Sequence, residues 1–336
     1  MLKYQLGCEL NYSISEPSTL IFNIGIVSNN FQNIIQEDIH HNAPAKIEEY
    51  ITPGDGNRYF RLNALPGTLQ ISYRAIVELT HDYTDPLTVL EVQPADLPLD
   101  ILYYLYPSRY CQSDRLLRLA EAEFGNLLPG YSRVTAICNW IYDNICYLAG
   151  STNSCTSACD TVLERVGVCR DFAHLGIAFC RALNIPARFV SGYADGLNPP
   201  DFHAWFEAYL GDRWYLFDPT RLVAQNGLIR VGTGRDAADV SFATMFGSIQ
   251  MERMKLFIDC LPTGQNISIP TTDAISIAWS RSRQFLDLNI QPQPIDRIWK
   301  LPQMITNVSY VTTILPLLGK IEVVVLFNRE LTPMSS

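Results

Sequence analysis

The sequence predicts an α+β protein, with an antiparallel β-sandwich at the N-terminus and then helices that lead into a β-hairpin. Three observations carry this reading. Up to about residue 95, short apolar runs, one of them alternating with period 2, are separated by Pro/Gly turns. From Ser113 onward apolar residues recur at helical spacing, and residues 202–218 alternate on either side of a Gly-Asp turn. At 336 residues and 48% hydrophobic, the chain is long enough for two domains and can bury a large core.

The N-terminal part, residues 1–95, is mostly strand and turn. Residues 20–27 form an apolar run bounded by Ser and Asn. Thr-Pro-Gly-Asp-Gly-Asn (52–57) and Pro66-Gly67 mark turns. In residues 69–79 the odd positions are apolar and most even ones polar, Ile76 excepted, which is the mark of a half-buried strand. Several strands separated by such turns suggest an antiparallel sandwich. His40 and His41 are read as a solvated loop, since adjacent strand residues point to opposite faces and make a poor metal pair.

The pattern changes around residues 92–98, and a second domain is placed over 96–255. Leu116, Leu119, Ala120 and Phe124 follow Ser113-Asp114 at helical spacing, with Gly125 as a stop. A second helix is expected from near Ser132, with Val134, Ile137, Ile141 and Ile145 as its apolar stripe. Residues 150–157 read as a loop and 161–165 as a short helical approach to the stretch Gly-Val-Cys-Arg-Asp-Phe-Ala-His-Leu (167–175). There Gly167 permits a tight turn and a helix starts at Cys169. Phe172, Leu175, Gly176, Phe179 and Leu183 share one face, and Ala173, Ile177 and Cys180 widen it, so this helix belongs in a core. Asn184 suits a left-handed C-terminal position, and Pro186 prevents continuation. Cys169 is thus expected where unpaired backbone N–H groups and the helix dipole favour a thiolate and could form part of an oxyanion hole.

A thiol nucleophile needs a base, and the base needs a group to orient it. Residues 202–210 put His203, Trp205, Glu207 and Tyr209 on one strand face. With Gly211-Asp212 as a two-residue turn, Leu210 faces Arg213, Trp205 faces Asp218 and His203 faces Thr220. Opposed residues share a face, so Asp218 lies diagonal to His203 on the same side. Cys169, His203 and Asp218 therefore suggest a cysteine-dependent acyl-transfer or amide-cleaving enzyme. His174 lies roughly 140° around the helix axis from Cys169 and is read as a core or second-shell histidine. Asp171 favours the helix dipole, while Asp195 and Asp201 are read as solvated loop residues.

Composition narrows the partners. A formal charge of −9 argues against nucleic acid, which demands a basic face. The N-terminus has no apolar stretch of the secretory type, and no run approaches a membrane span. Nine cysteines, an odd number without paired Cys-x-x-Cys motifs, point to reduced thiols in a cytoplasmic protein without a structural zinc. No cofactor and no metal are expected, and oligomeric state is left open.

Gly-Val-Cys-Arg-Asp-Phe-Ala-His-Leu (167–175), Leu-Asn-Ile-Pro-Ala-Arg (183–188), Val-Ser-Gly-Tyr (190–193), Asp-Phe-His-Ala-Trp (201–205) and Phe-Asp-Pro-Thr (217–220) resemble the bacterial transglutaminase-like superfamily over roughly residues 130–250. The β-rich start is similar to the N-terminal region found in such proteins. The resemblance implies a papain-like, transglutaminase-like α+β core with Cys169 as nucleophile, His203 as base and Asp218 as orienting acid. It implies attack of a thiolate on an amide carbonyl to give a thioester. Water then yields hydrolysis of a peptide or other amide, the favoured outcome, and an amine yields a transglutaminase crosslink. A catalytically inactive binding module with the same fold is the third reading. Tyr147 and Trp205 are candidates by type for substrate contact or a second oxyanion donor, and equally for packing. Residues 256–336 are expected to complete or cover the catalytic domain, with strands over 308–318 and 321–327.

Overall fold

A computed structural model describes residues 1–262. The first strand explains the sandwich. In β1 (Leu2–Ile14), Tyr4, Leu6, Cys8, Leu10, Tyr12 and Ile14 alternate inward and are all buried. After it come β2 (Ser18–Phe22), β3 (Gln32–His41), β4 (Glu48–Ile51), β5 (Arg58–Ala64) and β6 (Gly67–Leu79). In β6 the odd residues from Leu69 to Leu79 are buried, as the period-2 pattern predicts, and Ile76 is half-buried on the other face. His40 and His41 end β3 rather than lying in a loop, with His40 exposed.

The predicted apolar run 20–27 is only half strand. After Phe22 the chain leaves the sheet, yet Ile24 and Ile26 remain fully buried. They are held against later parts of the chain: the Tyr193 hydroxyl donates to the Ile24 carbonyl (3.0 Å) and the Val27 N–H to the Arg230 carbonyl (3.3 Å).

Three short 3-10 turns connect β6 to α1 (Ser113–Phe124), which Gly125 caps. There follow α2 (Tyr131–Asn144), β7 (Cys146–Tyr147), α3 (Ala158–Glu164), β8 (Val166–Gly167) and α4 (Cys169–Ala182). Strands β9 (Ala187–Ala194), β10 (His203–Leu210), β11 (Arg213–Phe217) and β12 (Leu228–Gly234) form an antiparallel sheet in the order β11-β10-β9-β12. Helix α4 packs on β9 and β10, and its Phe172, Leu175 and Phe179 share a core with Phe206 and Phe217. Gly176 permits the close approach, because a Cβ there would lie 2.4 Å from the Phe206 ring. Asn184 takes the left-handed conformation (φ +62°) that ends the helix.

The chain then returns. β13 (Ala243–Phe246) pairs with β2, and β14 (Ile249–Leu261) runs antiparallel along β1 from Ile14↔Ile249 to Lys3↔Leu261. The two sandwich sheets have the orders β14-β1-β6-β3 and β13-β2-β5-β4. The sequence reading put 96–255 in the catalytic part and set 256–336 against it; residues 243–261 instead complete the N-terminal sheets. Pairing explains the difference, because β14 covers an edge of β1 that would otherwise expose a long row of backbone N–H and C=O groups. The strands expected over 308–318 and 321–327 lie outside the described residues.

The two layers are stitched along β12, the edge of the sheet that carries His203. The Asn57 side chain donates to the Thr233 carbonyl (2.7 Å) and accepts from its N–H (2.9 Å), as a neighbouring strand would. Gln32 does the same at Arg230 (3.0 and 2.6 Å). Tyr193, Ile229 and Val231 add their side chains to the sandwich core.

Candidate active site

Helix α4 begins at Cys169, as the sequence predicts, and the start is fixed by its own first turn. The Asp171 carboxylate accepts the Val168 N–H (2.9 Å) through Oδ2 and the Thr152 hydroxyl (3.2 Å) through Oδ1. Gly167 lies so close to Asp171 that a Cβ would come within 2.8 Å of the aspartate Cβ, so a side chain there would displace the cap. Cys169 is half-buried at this N-terminus.

The hairpin register is the one the turn dictates. Gly211 and Asp212 both take positive φ (50° and 68°), and Leu210 pairs with Arg213, continuing to Phe206↔Phe217. Beyond that last pair, by one residue to Asp218 and three to His203, the His203 Nε2 lies 2.8 Å from Asp218 Oδ2, with both side chains buried. The other Asp218 oxygen accepts the Thr220 N–H (2.9 Å) and the Thr220 hydroxyl (2.8 Å). A carboxylate can only accept, so Nε2 carries the proton and Nδ1 is left as the basic nitrogen.

Nδ1 is buried and forms no hydrogen bond among the described residues that meets strict geometry. The Cys169 thiol nevertheless lies close enough to the ring to bear on its charge. Burial is the largest single influence on the His203 pKa and lowers it. The charge and hydrogen bond of Asp218, joined by the thiol, outweigh burial and raise it to about 10. The ring therefore holds a proton firmly once it has taken one.

Tyr147 stands on the approach to the thiol. Parallel pairing of β7 with β8 sets Tyr147 opposite Gly167, two residues before Cys169. Its hydroxyl lies within reach of both the Cys169 N–H and the Cys169 thiol; burial first, then the thiol, pushes its pKa up to about 12. The residue is 40% exposed, so solvent reaches it. Trp205 has a different place. It is 1% exposed among Val190, Leu216 and Leu228, and its ring stacks behind His203 at 6.2 Å between centroids. Its ring backs the imidazole and is shut off from solvent.

His174 is a core residue. It stacks on Tyr110 (5.0 Å), accepts the Ala237 N–H through Nε2 (3.1 Å), and burial keeps its pKa well below the usual imidazole range. Sequence reasoning missed the role of Thr220, although an acceptor followed two residues later by Thr is the pattern of a local side-chain turn. It also treated Asp201 as an ordinary loop residue, whereas its carboxylate lies in the electrostatic neighbourhood of both His203 and Tyr147. Among the described residues no cluster of three or more His, Cys, Asp or Glu side chains could hold a metal, and no helix is long and apolar enough to cross a membrane.

Comparison with known proteins agrees with this architecture. Residues 2–98 match the bacterial transglutaminase N-terminal domain, and residues 118–219 match the core of the transglutaminase-like superfamily. The chain is similar to a candidate cysteine protease from Cytophaga hutchinsonii of known crystal structure, at 46% identity and a TM-score of 0.77, over 82% of this chain and 96% of the other. It is 39% identical over 214 residues to an uncharacterized protein of Mycobacterium tuberculosis, covering 56% of this chain and 67% of that protein. An uncharacterized Mycobacterium leprae protein is 37% identical over 120 residues, which are 32% of this chain and 42% of the relative's length. With both domain types present in the expected order, and 46% identity across nearly the whole of a solved relative, the chain belongs to the bacterial transglutaminase-like superfamily.

Proposed function

We propose that the protein is a cysteine-dependent amide or peptide hydrolase that works through a thioester. The observation that carries this reading is the buried imidazole of His203, held by Asp218 at 2.8 Å on Nε2, with the Cys169 thiol among the groups that bear on its charge. In the proposed sequence Nδ1 takes the thiol proton, and the sulfur attacks the substrate carbonyl carbon. The tetrahedral oxyanion is then met by the Cys169 N–H, which in the resting site donates to the Tyr147 hydroxyl oxygen, and by that hydroxyl turned to donate. The C–N bond then breaks, the imidazolium gives its proton to the leaving amine, and a thioester remains. Water, deprotonated by His203, attacks that thioester; the C–S bond breaks, the acid departs, and the proton returns to sulfur.

The test has two parts. Iodoacetamide at about pH 6–7 should modify Cys169 well ahead of the exposed Cys146, Cys155 and Cys260. Equal rates at all four would sink the activated-nucleophile reading. With a chromogenic ester or amide, rapid quenching should trap a mass adduct on Cys169 that is missing from the Cys169→Ala variant. Partition of that adduct between water and an added amine then separates hydrolysis from transglutamination.

A further inference from the structure

We propose that Arg221 is a positioning residue, which holds the Asp218 carboxylate in line through Thr220 from a seat on helix α2. The inference rests on the reading of Asp218 as the group that orients His203. It begins at a backbone outlier. Arg221 takes φ +55°, in the left-handed region that glycine or asparagine enters more easily, and an arginine stays there only where its surroundings over-determine it. On the inner side, Thr220 is buried and gives Asp218 Oδ1 both its N–H (2.9 Å) and its hydroxyl proton (2.8 Å). The bend at Arg221 brings the Leu222 N–H back to the Thr220 hydroxyl oxygen (3.3 Å). That oxygen accepts from Leu222 and its one proton goes to Asp218, so the hydroxyl has a single direction.

On the outer side, Arg221 reaches α2. Its Nη2 donates to Asn139 Oδ1, and its guanidinium carbon lies 4.3 Å from the centre of the Tyr142 ring. Asn139 and Tyr142 are three residues apart, so they stand on one helix face and grip the planar group from two directions. The buried face of α2, with Val134, Ile137 and Ile141, is packed into the core that also holds α4, the helix that begins at Cys169. The seat of Arg221 is therefore fixed in the same frame as the thiol. Asp218 follows the hairpin, and Arg221 ties it to the helices. Both contacts lie at the surface, with Tyr142 47% exposed, and such contacts add little to global stability. They act on where Asp218 points rather than on whether the chain folds.

The test needs no substrate. Iodoacetamide modification of Cys169 is followed against pH by peptide mass spectrometry in the whole protein. A loosened Asp218 supports the imidazolium less, so the thiolate that accompanies it forms at higher pH. Arg221→Gly, which keeps the left-handed turn without the side chain, should raise the alkylation limb by about half to one pH unit, on the order of three- to tenfold in rate near pH 6. Asn139→Ala, which leaves residues 218–222 intact, should move it the same way, and the double variant no further than Arg221→Gly alone. Urea midpoints should stay at the wild-type value throughout. An unmoved limb in Arg221→Gly overturns the inference alone. So does a shift there that Asn139→Ala does not share, since the backbone and not the seat would then carry it. A fall in urea midpoint without a shift of the limb overturns it too, by leaving Arg221 a structural role only. If Asp218→Asn itself leaves the limb in place, the reading of Asp218 fails, and the inference with it.

Discussion

Replacing Asp218 by Asn probes the centre of the site, because the surrounding donors dictate how the amide must sit. Thr220 directs both its N–H and its hydroxyl at Asp218 Oδ1, so the asparagine oxygen must occupy that position. The NH2 group then faces His203 Nε2, which can satisfy it only by giving up its own proton. The imidazole is forced into the Nδ1–H tautomer, with a hydrogen pointing at Cys169 where a lone pair is needed. The charge is lost as well. Raising the ring from 6.5 to about 10 corresponds to on the order of 5 kcal/mol in favour of imidazolium, and burial alone works in the opposite direction. Asp218→Asn should therefore drop the ring below its ordinary value and cut the acylation rate on the order of 10⁴-fold, the scale expected when a catalytic histidine is held in the wrong tautomer. Iodoacetamide modification of Cys169 as a function of pH is the assay, with imidazole ¹⁵N shifts reporting the tautomer. An Asp218→Asn protein whose alkylation profile overlays that of the wild type would refute the reasoning.

Stability should carry the same signature. His203 is raised on folding, so its contribution is fully present below about pH 6.5 and is lost as pH rises through about 10. Urea unfolding across that window should show a fall in wild-type stability that is flatter in His203→Gln. Tyr147→Phe removes one proposed oxyanion donor and should lower kcat about 10²-fold with little change in KM; an unaltered kcat would leave Tyr147 as packing alone. Glu207 is fully buried, pairing with Arg188 at 2.8 Å and with Arg230. Glu207→Gln leaves the half-buried Arg230 without its anion and Arg188 with only Asp55 at 3.7 Å, and should cost about 3–5 kcal/mol by chemical denaturation. Less than about 1 kcal/mol would mean that water already reaches the network.

The contrast between what the chain revealed and what it concealed follows the range of the interactions involved. The His203–Asp218 pair was legible because parity is local. Once Gly211-Asp212 is accepted as the turn, the face of every residue from Phe206 to Phe217 is fixed by counting, and the same parity carried one residue on to Asp218 and three back to His203 puts them on one side. The start of α4 was legible for the same reason, since Asp171 in its first turn accepts the N–H of Val168 only three residues before it. By contrast, β14 finds its partner at the opposite end of the chain, and its residues carry no mark of that choice: most are exposed, and Leu256 is the one buried hydrophobic among them. Nor does Asn57 look different from any turn asparagine until β12 is beside it, when its amide serves as a missing strand. These distant contacts bear on the chemistry. β9, which Asn57 and Gln32 help to hold through β12, is paired with β10 at His203↔Gly192, directly beside the proposed base. A Cβ at Gly192 would lie 2.6 Å from the Trp205 ring that backs the imidazole. The sandwich thus braces the strand next to the base, and loosening it should widen the His203–Asp218 contact before it unfolds the core.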